Sequence, residues 1–288
     1  IHPDYTGQTY LDIVATVKTA VPEMHIHAFS PLEVWQGAAT LGISLEEFLT
    51  QLKTAGLSTL PGTAAEILHD DIRKLICPDK LNTAQWLEVM TTAHKVGFNT
   101  TATVMYGHVE SPVHWASHLA AIRDLQTQTR GFTEFVPLPY VHMEAPMYLK
   151  GKSRAGPSFR ESILMHTIAR IVFNGLIDNI QTSWVKMGQQ GVLACLNAGA
   201  NDIGGTLMNE SITRAAGADH GQEWSPEGME SALIQMDRNP RMRTTAYEDA
   251  PVSRKKIAFN PPVLEQIENT SANKFQRSKK LENLVQLG

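Results

Sequence analysis

The 288-residue sequence is poor in cysteine, with only Cys77 and Cys195, which lie far apart in the chain. Two thiols supply neither a disulfide framework nor a four-ligand structural zinc site, which predicts a protein of the reducing cytoplasm. No uncharged apolar run reaches membrane-spanning length, because the most apolar stretch, 163–177, contains a histidine, an arginine and an asparagine. The polar, turn-like opening residues predict no signal peptide.

An excess of charge is also missing, since 25 basic residues stand against 29 acidic ones for a net charge of −4. This balance gives no general attraction to nucleic acid or to anionic membranes. Glycine-rich phosphate-binding patterns, such as Gly-x-Gly-x-x-Gly or Gly-x-x-x-x-Gly-Lys, do not occur. The apolar content of 42% excludes a disordered chain and allows a sizeable core.

Strand-like apolar runs alternate with amphipathic helical patterns along most of the chain. Strands are predicted at 24–29, 57–61, 98–106, 132–141, 180–185 and 202–207. Helices are predicted to begin at or near Ser44, Gly62, Thr83, Ser111, Ser158, Gln189 and Ser225. About six β/α units in a row indicate an α/β fold with a parallel sheet, and without a phosphate turn a partial (β/α) barrel is favoured. The barrel is expected over residues 1–250, followed by a polar, poorly ordered tail over 251–288.

Polar residues gather where each predicted strand ends, which is the position of catalytic groups in a (β/α) barrel. This pattern indicates an enzyme. The strand-end residues considered for the site are His25, His27, Glu66, Gly107, His108, Glu110, His142, Asn179, Gln181 and Asp202. Asp202 is the strongest candidate for a substrate contact, because an unpaired carboxylate on an apolar strand is costly.

The His25-x-His27 pair leaves two interpretations open. Histidines two apart on a strand share a face and can chelate one metal, so a metal-dependent hydrolase with His108, His142 and Asp202 is one hypothesis. Hydrogen-bonded wall residues are the other. Similarly, Glu66 and Glu110 suit ordinary helix N-termini. The basic cluster Arg238, Arg241 and Arg243 suits a solvated helix end better than an anion site.

Several separated motifs resemble one branch of the radical S-adenosylmethionine enzymes. They are the segments 27–33 (HAFSPLE), 60–68 (LPGTAAEIL), 76–80 (ICPDK), 105–110 (MYGHVE), 132–139 (FTEFVPLP) and 202–206 (DIGGT). The branch holds the tyrosine-using subunit of FO synthases and two menaquinone-pathway enzymes, and the 60–68 segment is more similar to the former. The similarity covers about residues 1 to 250.

The resemblance implies a (β/α) barrel of the radical S-adenosylmethionine kind, a 4Fe-4S cluster and S-adenosylmethionine. It also implies a transferase reaction in which a 5′-deoxyadenosyl radical acts on L-tyrosine. The 4-hydroxybenzyl fragment is joined to 5-amino-6-(D-ribitylamino)uracil, and the other FO synthase subunit then closes the deazaflavin ring. The alternatives are a menaquinone-pathway enzyme of the aminofutalosine synthase or futalosine cyclase type, and the hydrolase using His25 and His27.

The residues carried over from the resemblance fall into two groups. Those expected at the cofactor are Glu66, Gly107, Glu110, Val136, Pro137 and Leu138. Those expected to face substrate are His27, His108, Asn179, Gln181 and Asp202. Thr103 stands where the branch has a further glycine, which departs from its pattern at that position.

The largest departure is that the sequence has no Cys-x-x-x-Cys-x-x-Cys loop. No metal ligand is therefore expected in this chain. The sequence begins with isoleucine, and we expect a C-terminal fragment that lacks the first barrel strands and is inactive alone.

Overall fold

The computed structural model describes residues 2–207 and 210–261. Its α-helices are α1 (Gly7–Ala20), α2 (Pro31–Leu41), α3 (Leu45–Ala55), α4 (Asp70–Ile76), α5 (Thr83–Val96), α6 (Pro112–Thr129), α7 (Pro146–Leu149), α8 (Phe159–Val172), α9 (Trp184–Asn197), α10 (Ile212–Ala215), α11 (Pro226–Gln235) and α12 (Val252–Ala258). Its strands are β1 (Thr59–Leu60), β2 (Asn99–Tyr106), β3 (Phe132–Pro139) and β4 (Asn179–Ile180). None of the helices in the described ranges is long and apolar enough to cross a membrane.

The four strands form one sheet in the order β1-β2-β3-β4. Thr59 and Leu60 pair in parallel with Asn99 and Thr100, and Glu134 and Phe135 pair in parallel with Asn179 and Ile180. Two isolated parallel bridges, His27 to Thr59 and Gln181 to Asp202, add one strand position before β1 and one beside β4. Parallel neighbours need long crossover connections, which the helices supply. The α/β class with a parallel sheet is confirmed.

Local capping signals fix the ends of several helices. The Ser44 hydroxyl accepts a hydrogen bond from the Glu47 N–H, and Gly56 ends the same helix at φ 110°. Ser158 and Glu161 cap each other reciprocally before α8. The predicted cap of α5 is off by one residue, because Asn82 and not Thr83 accepts the Gln85 N–H.

Several predicted segments differ in the structure. The predicted strand 24–29 has only the single bridge at His27, and the helix predicted from Gln189 already begins at Trp184. The predicted helix start at Gly62 is wrong, since 62–69 is a loop and α4 begins at Asp70. The predicted strand 180–185 stops at Ile180, and 202–207 has only the single bridge at Asp202. The helix at Ser225 is followed by another, α12, which lies in the predicted tail. Of that tail, 262–288 lies outside the described residues, and the division at residue 250 stays a prediction.

The described chain separates into two compact units. The first comprises the residues up to Met105 together with Glu110–Val136 and Ala169–Ile180. Its core packs α1, α2, α3 and α5 around buried side chains that include Tyr10, Val14, Val34, Phe48, Leu49, Leu52, Leu60 and Val89. Each such side chain contributes on the order of 2 kcal/mol through burial.

The second unit comprises Tyr106–Val109, Pro137–Ile168 and the chain from Gln181 onward. Its core is built on α9 and α11 and contains Trp184, Val192, Cys195, Leu196, Trp224 and Met229. The rings of Trp184 and Trp224 meet edge to face, with centroids 6.4 Å apart.

Candidate active site

The two histidines of the first strand position share one hydrogen-bond partner. His25 Nε2 and His27 Nδ1 each lie 2.8 Å from Thr59 Oγ1. A hydroxyl has one hydrogen, so it donates to one imidazole and accepts from the other. Burial lowers the pKa of both rings; Lys18 adds to this for His25, and His25 adds to it for His27. Both histidines are therefore neutral wall residues at pH 7.

A metal site at these histidines would need further ligands. Within the described ranges, no three His, Cys, Asp or Glu side chains converge as metal ligands do. Thr59 already engages one nitrogen of each ring, Nε2 of His25 and Nδ1 of His27. The geometry thus favours the hydrogen-bonded interpretation of the pair.

Glu66 lies in a strained loop after β1. Ala64 and Glu66 have φ values of 59° and 47°, a region that residues with a Cβ rarely adopt. Such strain persists where surrounding contacts enforce it, and it is frequent at functional sites. The Glu66 carbonyl accepts from the Met105 N–H at 2.9 Å, which ties the loop to the end of β2.

The Glu66 carboxylate already has a cationic partner. Lys80 Nζ lies 2.8 Å from Glu66 Oε1, and the two side chains are 32% and 18% exposed. The pair is thus partly shielded and still accessible. It presents one carboxylate and one ammonium group side by side, not an isolated acid.

A buried arginine holds the loop from behind. Arg73 is 3% exposed and donates to the carbonyls of Ala64, Ala65, Ile67 and Leu81. Its guanidinium supplies donors to three carbonyls of the strained loop and to the Leu81 carbonyl. Arg73 therefore determines where Glu66 stands.

The other predicted residues of the first unit are more ordinary. The buried Glu110 carboxylate accepts from Trp115 Nε1 at 2.8 Å, and Val136 is buried on β3. Asn179 is the first residue of β4, and its side-chain amide donates to the Thr133 carbonyl. Asn179 therefore lies at the amino end of its strand, whereas catalytic groups of a (β/α) barrel lie at the carboxyl ends of the strands.

In the second unit, Gly107 and His108 follow β2 directly. Gly107 has φ 97°, and a Cβ there would lie 2.2 Å from Pro157 Cδ, so only glycine fits. The buried His108 ring accepts from the Val109 N–H through Nδ1 and meets Tyr140 edge to face. The His108 carbonyl accepts from the Arg154 N–H at 2.9 Å. Pro137 is buried and Leu138 is half-buried, and both lie near the carboxyl end of β3.

Gln181 and Asp202 are brought together by their parallel bridge. The Asp202 carboxylate is paired with Arg243, and its contact with substrate stays a prediction. Its Oδ1 accepts from the Gly204 N–H at 2.7 Å and from Arg243 at 2.9 Å, and its Oδ2 accepts from Arg243 Nε.

The contacts of three charged side chains were not predicted from the sequence. These side chains are Lys80, Arg73 and Arg243. Lys80 belongs to a segment that carried the resemblance, but nothing in the spacing tied it to Glu66. Arg243 was placed in a solvated basic cluster, which is wrong for this residue, because its side chain is only 22% exposed.

The comparisons with known proteins agree on one family. The model of the CofH/MqnC C-terminal region matches residues 129–256. FO synthases of Mycobacterium leprae and Nocardia farcinica are 49% and 50% identical over 247 residues, 86% of this chain. The chain spans 29% of the length of these two relatives. The 5-amino-6-(D-ribitylamino)uracil--L-tyrosine 4-hydroxyphenyl transferase of Methanothermobacter thermautotrophicus is 45% identical over 249 residues, covering 86% of this chain and 68% of that protein.

The chain belongs to the family of this 4-hydroxyphenyl transferase. Among solved structures, methylornithine synthase (PylB) superposes with a TM-score of 0.57 at 13% identity, covering 87% of this chain and 66% of that one. At this identity the likeness shows the fold alone. It agrees with the parallel α/β arrangement described above.

The thiols of this chain do not fit the iron–sulfur cluster expected of such a family. Cys77 and Cys195 lie in different units, and both are buried. Burial raises the pKa of the Cys77 thiol and raises that of Cys195 to about 11. Cluster ligands are thiolates, and a cubane needs more of them than two separate, protonated thiols provide.

Proposed function

We propose that this chain is part of a radical S-adenosylmethionine transferase that joins the 4-hydroxybenzyl group of L-tyrosine to 5-amino-6-(D-ribitylamino)uracil, a step of FO biosynthesis. The observation that carries the proposal is the 45% identity to a transferase whose name states both substrates. The identity of 49–50% to FO synthases supports the same pathway.

The strand order supports a partial (β/α) barrel for this transferase. Strand positions from His27 to Asp202 follow one another in chain order, and the pairings of β1 with β2 and of β3 with β4 are parallel, as are the two isolated bridges. A doubly wound sheet reverses its order at a switch point, whereas a barrel does not. The barrel assignment accounts for this order and for the residues that follow each strand.

The cluster is proposed to be held by cysteines other than those of this sequence, because Cys77 and Cys195 do not fit it. No step of the reaction is therefore assigned to this chain's thiols. A 5′-deoxyadenosyl radical is the chemistry that a cluster with S-adenosylmethionine supplies, and the protein's part is to bind, orient and exclude water.

The residues proposed to contact S-adenosylmethionine are Glu66, Gly107, Glu110, Val136, Pro137 and Leu138. Glu66, a half-buried carboxylate, suits an ammonium group, with Lys80 holding it in place. Val136, Pro137 and Leu138 offer apolar strand surface for a flat base. Gly107 allows the backbone turn against Pro157.

The residues proposed to face substrate are His27, His108, Asn179, Gln181 and Asp202. The contacts favour His27 and His108, both hydrogen-bonding groups that lie at or directly after a strand position. Asp202 would act indirectly, since Arg243 holds its carboxylate. The partner proposed to close the deazaflavin ring is the other FO synthase activity, and the cytoplasm remains the predicted location.

The test uses the native polypeptide that contains this sequence, with a reconstituted cluster, reductant, S-adenosylmethionine, ring-labelled L-tyrosine and 5-amino-6-(D-ribitylamino)uracil. We expect the labelled 4-hydroxybenzyl group in a product with the uracil, detected by mass spectrometry. Consumption of a futalosine-type substrate instead of tyrosine would assign the chain to the menaquinone-pathway enzymes. Activity without a cluster, dependent on a divalent metal and lost in His25→Ala, would favour the hydrolase.

A matched pair of variants assigns the Glu66 carboxylate. Glu66→Gln is expected to raise KM or lower turnover at least about tenfold, because a charge-assisted hydrogen bond is worth roughly 1.5–3 kcal/mol. Glu46→Gln is the control, since Glu46 also pairs with a lysine at 2.7 Å but lies on the exposed surface of α3. Equal activity of the two variants would remove Glu66 from the site.

A further inference from the structure

Residues 242–250, here called the clasp, form a small antiparallel turn after α11. Arg243 and Asp249 form an antiparallel bridge, the Thr244 N–H donates to the Glu248 carbonyl, and the Ala250 N–H donates to the Met242 carbonyl. The Thr244 hydroxyl also accepts from the Glu248 N–H. The clasp thus has its own hydrogen bonds and a defined shape.

One side chain ties the clasp to Asp202. The Arg243 guanidinium engages both oxygens of the Asp202 carboxylate, and its NH1 donates to the Thr244 carbonyl. The Tyr247 ring covers one face of the guanidinium, with Cζ 4.0 Å from the centroid. The Asp202 and Arg243 side chains are only 9% and 22% exposed. Bidentate geometry with shielding makes this pair stronger and more directional than a surface ion pair.

Asp202 in turn shapes the chain around it. Its Oδ1 accepts from the Gly204 N–H, and its backbone carbonyl accepts from the Thr182 N–H. The loop 203–207 has a second attachment, the hydrogen bond from Trp184 Nε1 to the Gly205 carbonyl. Gly204 has φ 71°, and a Cβ there would lie 3.1 Å from the Gln181 amide oxygen, so this loop conformation is specific.

We propose that Arg243 is a positioning residue that acts through Asp202. Its guanidinium holds the clasp against the Asp202 carboxylate and thereby fixes the conformation of loop 203–207. Asp202 is then an internal anchor for the C-terminal part of the chain and not a binding group for a cationic ligand. This inference stands on the contacts alone and holds whether or not the proposed reaction is correct.

The experiment is amide hydrogen exchange on the native protein, comparing Arg243→Gln with Arg241→Gln. Arg241 is the matched control, because it lies directly before the clasp and pairs with the clasp residue Asp249, while its own side chain is 59% exposed. We expect Arg243→Gln to speed exchange at Thr244 and Ala250, and also at Gly204, by at least about tenfold. Arg241→Gln should change these amides less than about twofold.

The location of the effect decides the interpretation. Faster exchange in the clasp with Gly204 unchanged would overturn the positioning role, and so would equal effects of the two variants. Asp202→Asn should reproduce the Arg243→Gln pattern, because the linkage is reciprocal. Arg243→Lys keeps the positive charge but lacks the planar guanidinium that bonds both carboxylate oxygens, so its exchange rates should lie between those of the control and of Arg243→Gln. It replaces the glutamine variant if that variant fails to fold.

Chemical rescue separates positioning from general destabilisation. In Arg243→Ala, added methylguanidinium should restore protection at Gly204 by filling the fork-shaped gap, and methylammonium should not. Rescue by both ions equally, or by neither, would contradict the proposal. The urea midpoint of Arg243→Ala, measured in parallel, should change little while the local exchange rates change strongly.

Discussion

Arg73 offers the sharpest test of how the fold positions Glu66. The residue lies on α4 with its side chain 3% exposed, and its acceptors are backbone carbonyls of the strained loop and of Leu81. Arg73→Met keeps the aliphatic volume and removes every donor. The Ala65 and Leu81 carbonyls, in buried residues, then lose the hydrogen bonds that Arg73 gives them among the described residues.

The expected cost follows from those two carbonyls. A buried polar group left without a partner costs about 1–3 kcal/mol, so two of them cost roughly 4 kcal/mol in the free energy of unfolding. The Ile67 carbonyl adds little, because it also accepts from the His69 N–H. Relief from burying a charge offsets part of the cost.

Urea unfolding followed by tryptophan fluorescence measures this loss, and hydrogen exchange over residues 62–68 shows whether the loop opens. Lys74→Met is the control on the same helix, with a side chain 75% exposed, and it should cost under about 0.5 kcal/mol. A loss below about 1 kcal/mol in Arg73→Met, or one no larger than in Lys74→Met, would refute the reasoning.

Three further outcomes are expected. Gly131→Ala should lower the free energy of unfolding by about 1–3 kcal/mol, because its Cβ would lie 2.1 Å from a His94 ring that Thr100 and Thr129 hold in place. Gly205→Ala is the control, since a Cβ there would meet nothing within 4 Å. Equal unfolding midpoints of the two variants would contradict this prediction. Burial lowers the pKa of His94 to about 4, below the unfolded value near 6.5, so neutral His94 contributes fully above pH 6.5 and the contribution is lost as pH falls toward 4. We expect this loss to be on the order of 3 kcal/mol in the free energy of unfolding, measured by urea titration at several pH values. A His94→Gln variant whose stability changes with pH as that of the unchanged protein does would contradict this explanation. Both thiols should resist a disulfide reagent at pH 8 until the protein unfolds, since both are buried with raised pKa; rapid labelling of either in the folded protein would disprove their burial.

Much of the fold follows from local sequence. Ser44, Gly56, Gly97 and the Ser111-Pro112 pair mark helix ends in the structure as predicted, because caps are satisfied by neighbours in the chain. The long strands β2 and β3 were also placed within two residues. The short strand at Asn179 was misjudged, because two residues in a parallel ladder carry no periodicity of their own.

The helix predicted to begin at Gly62 was wrong for a different reason. Its Thr-Ala-Ala-Glu composition favours a helix, but Arg73 offers its donors to the carbonyls of loop 62–69 and holds two residues at positive φ. Tertiary hydrogen bonds therefore overrode local propensity, at the position that carries Glu66.

By itself, the sequence determined the alternation of strands and helices, the parallel α/β class and the family. These properties depend on periodicity, capping and short motifs, all of which are local in the chain. The tertiary structure alone decided the partners of the charged residues: Lys80 for Glu66 across 14 positions, and Arg243 for Asp202 across 41. Attraction between charges depends on distance in space and on burial, and neither is encoded by spacing along the sequence.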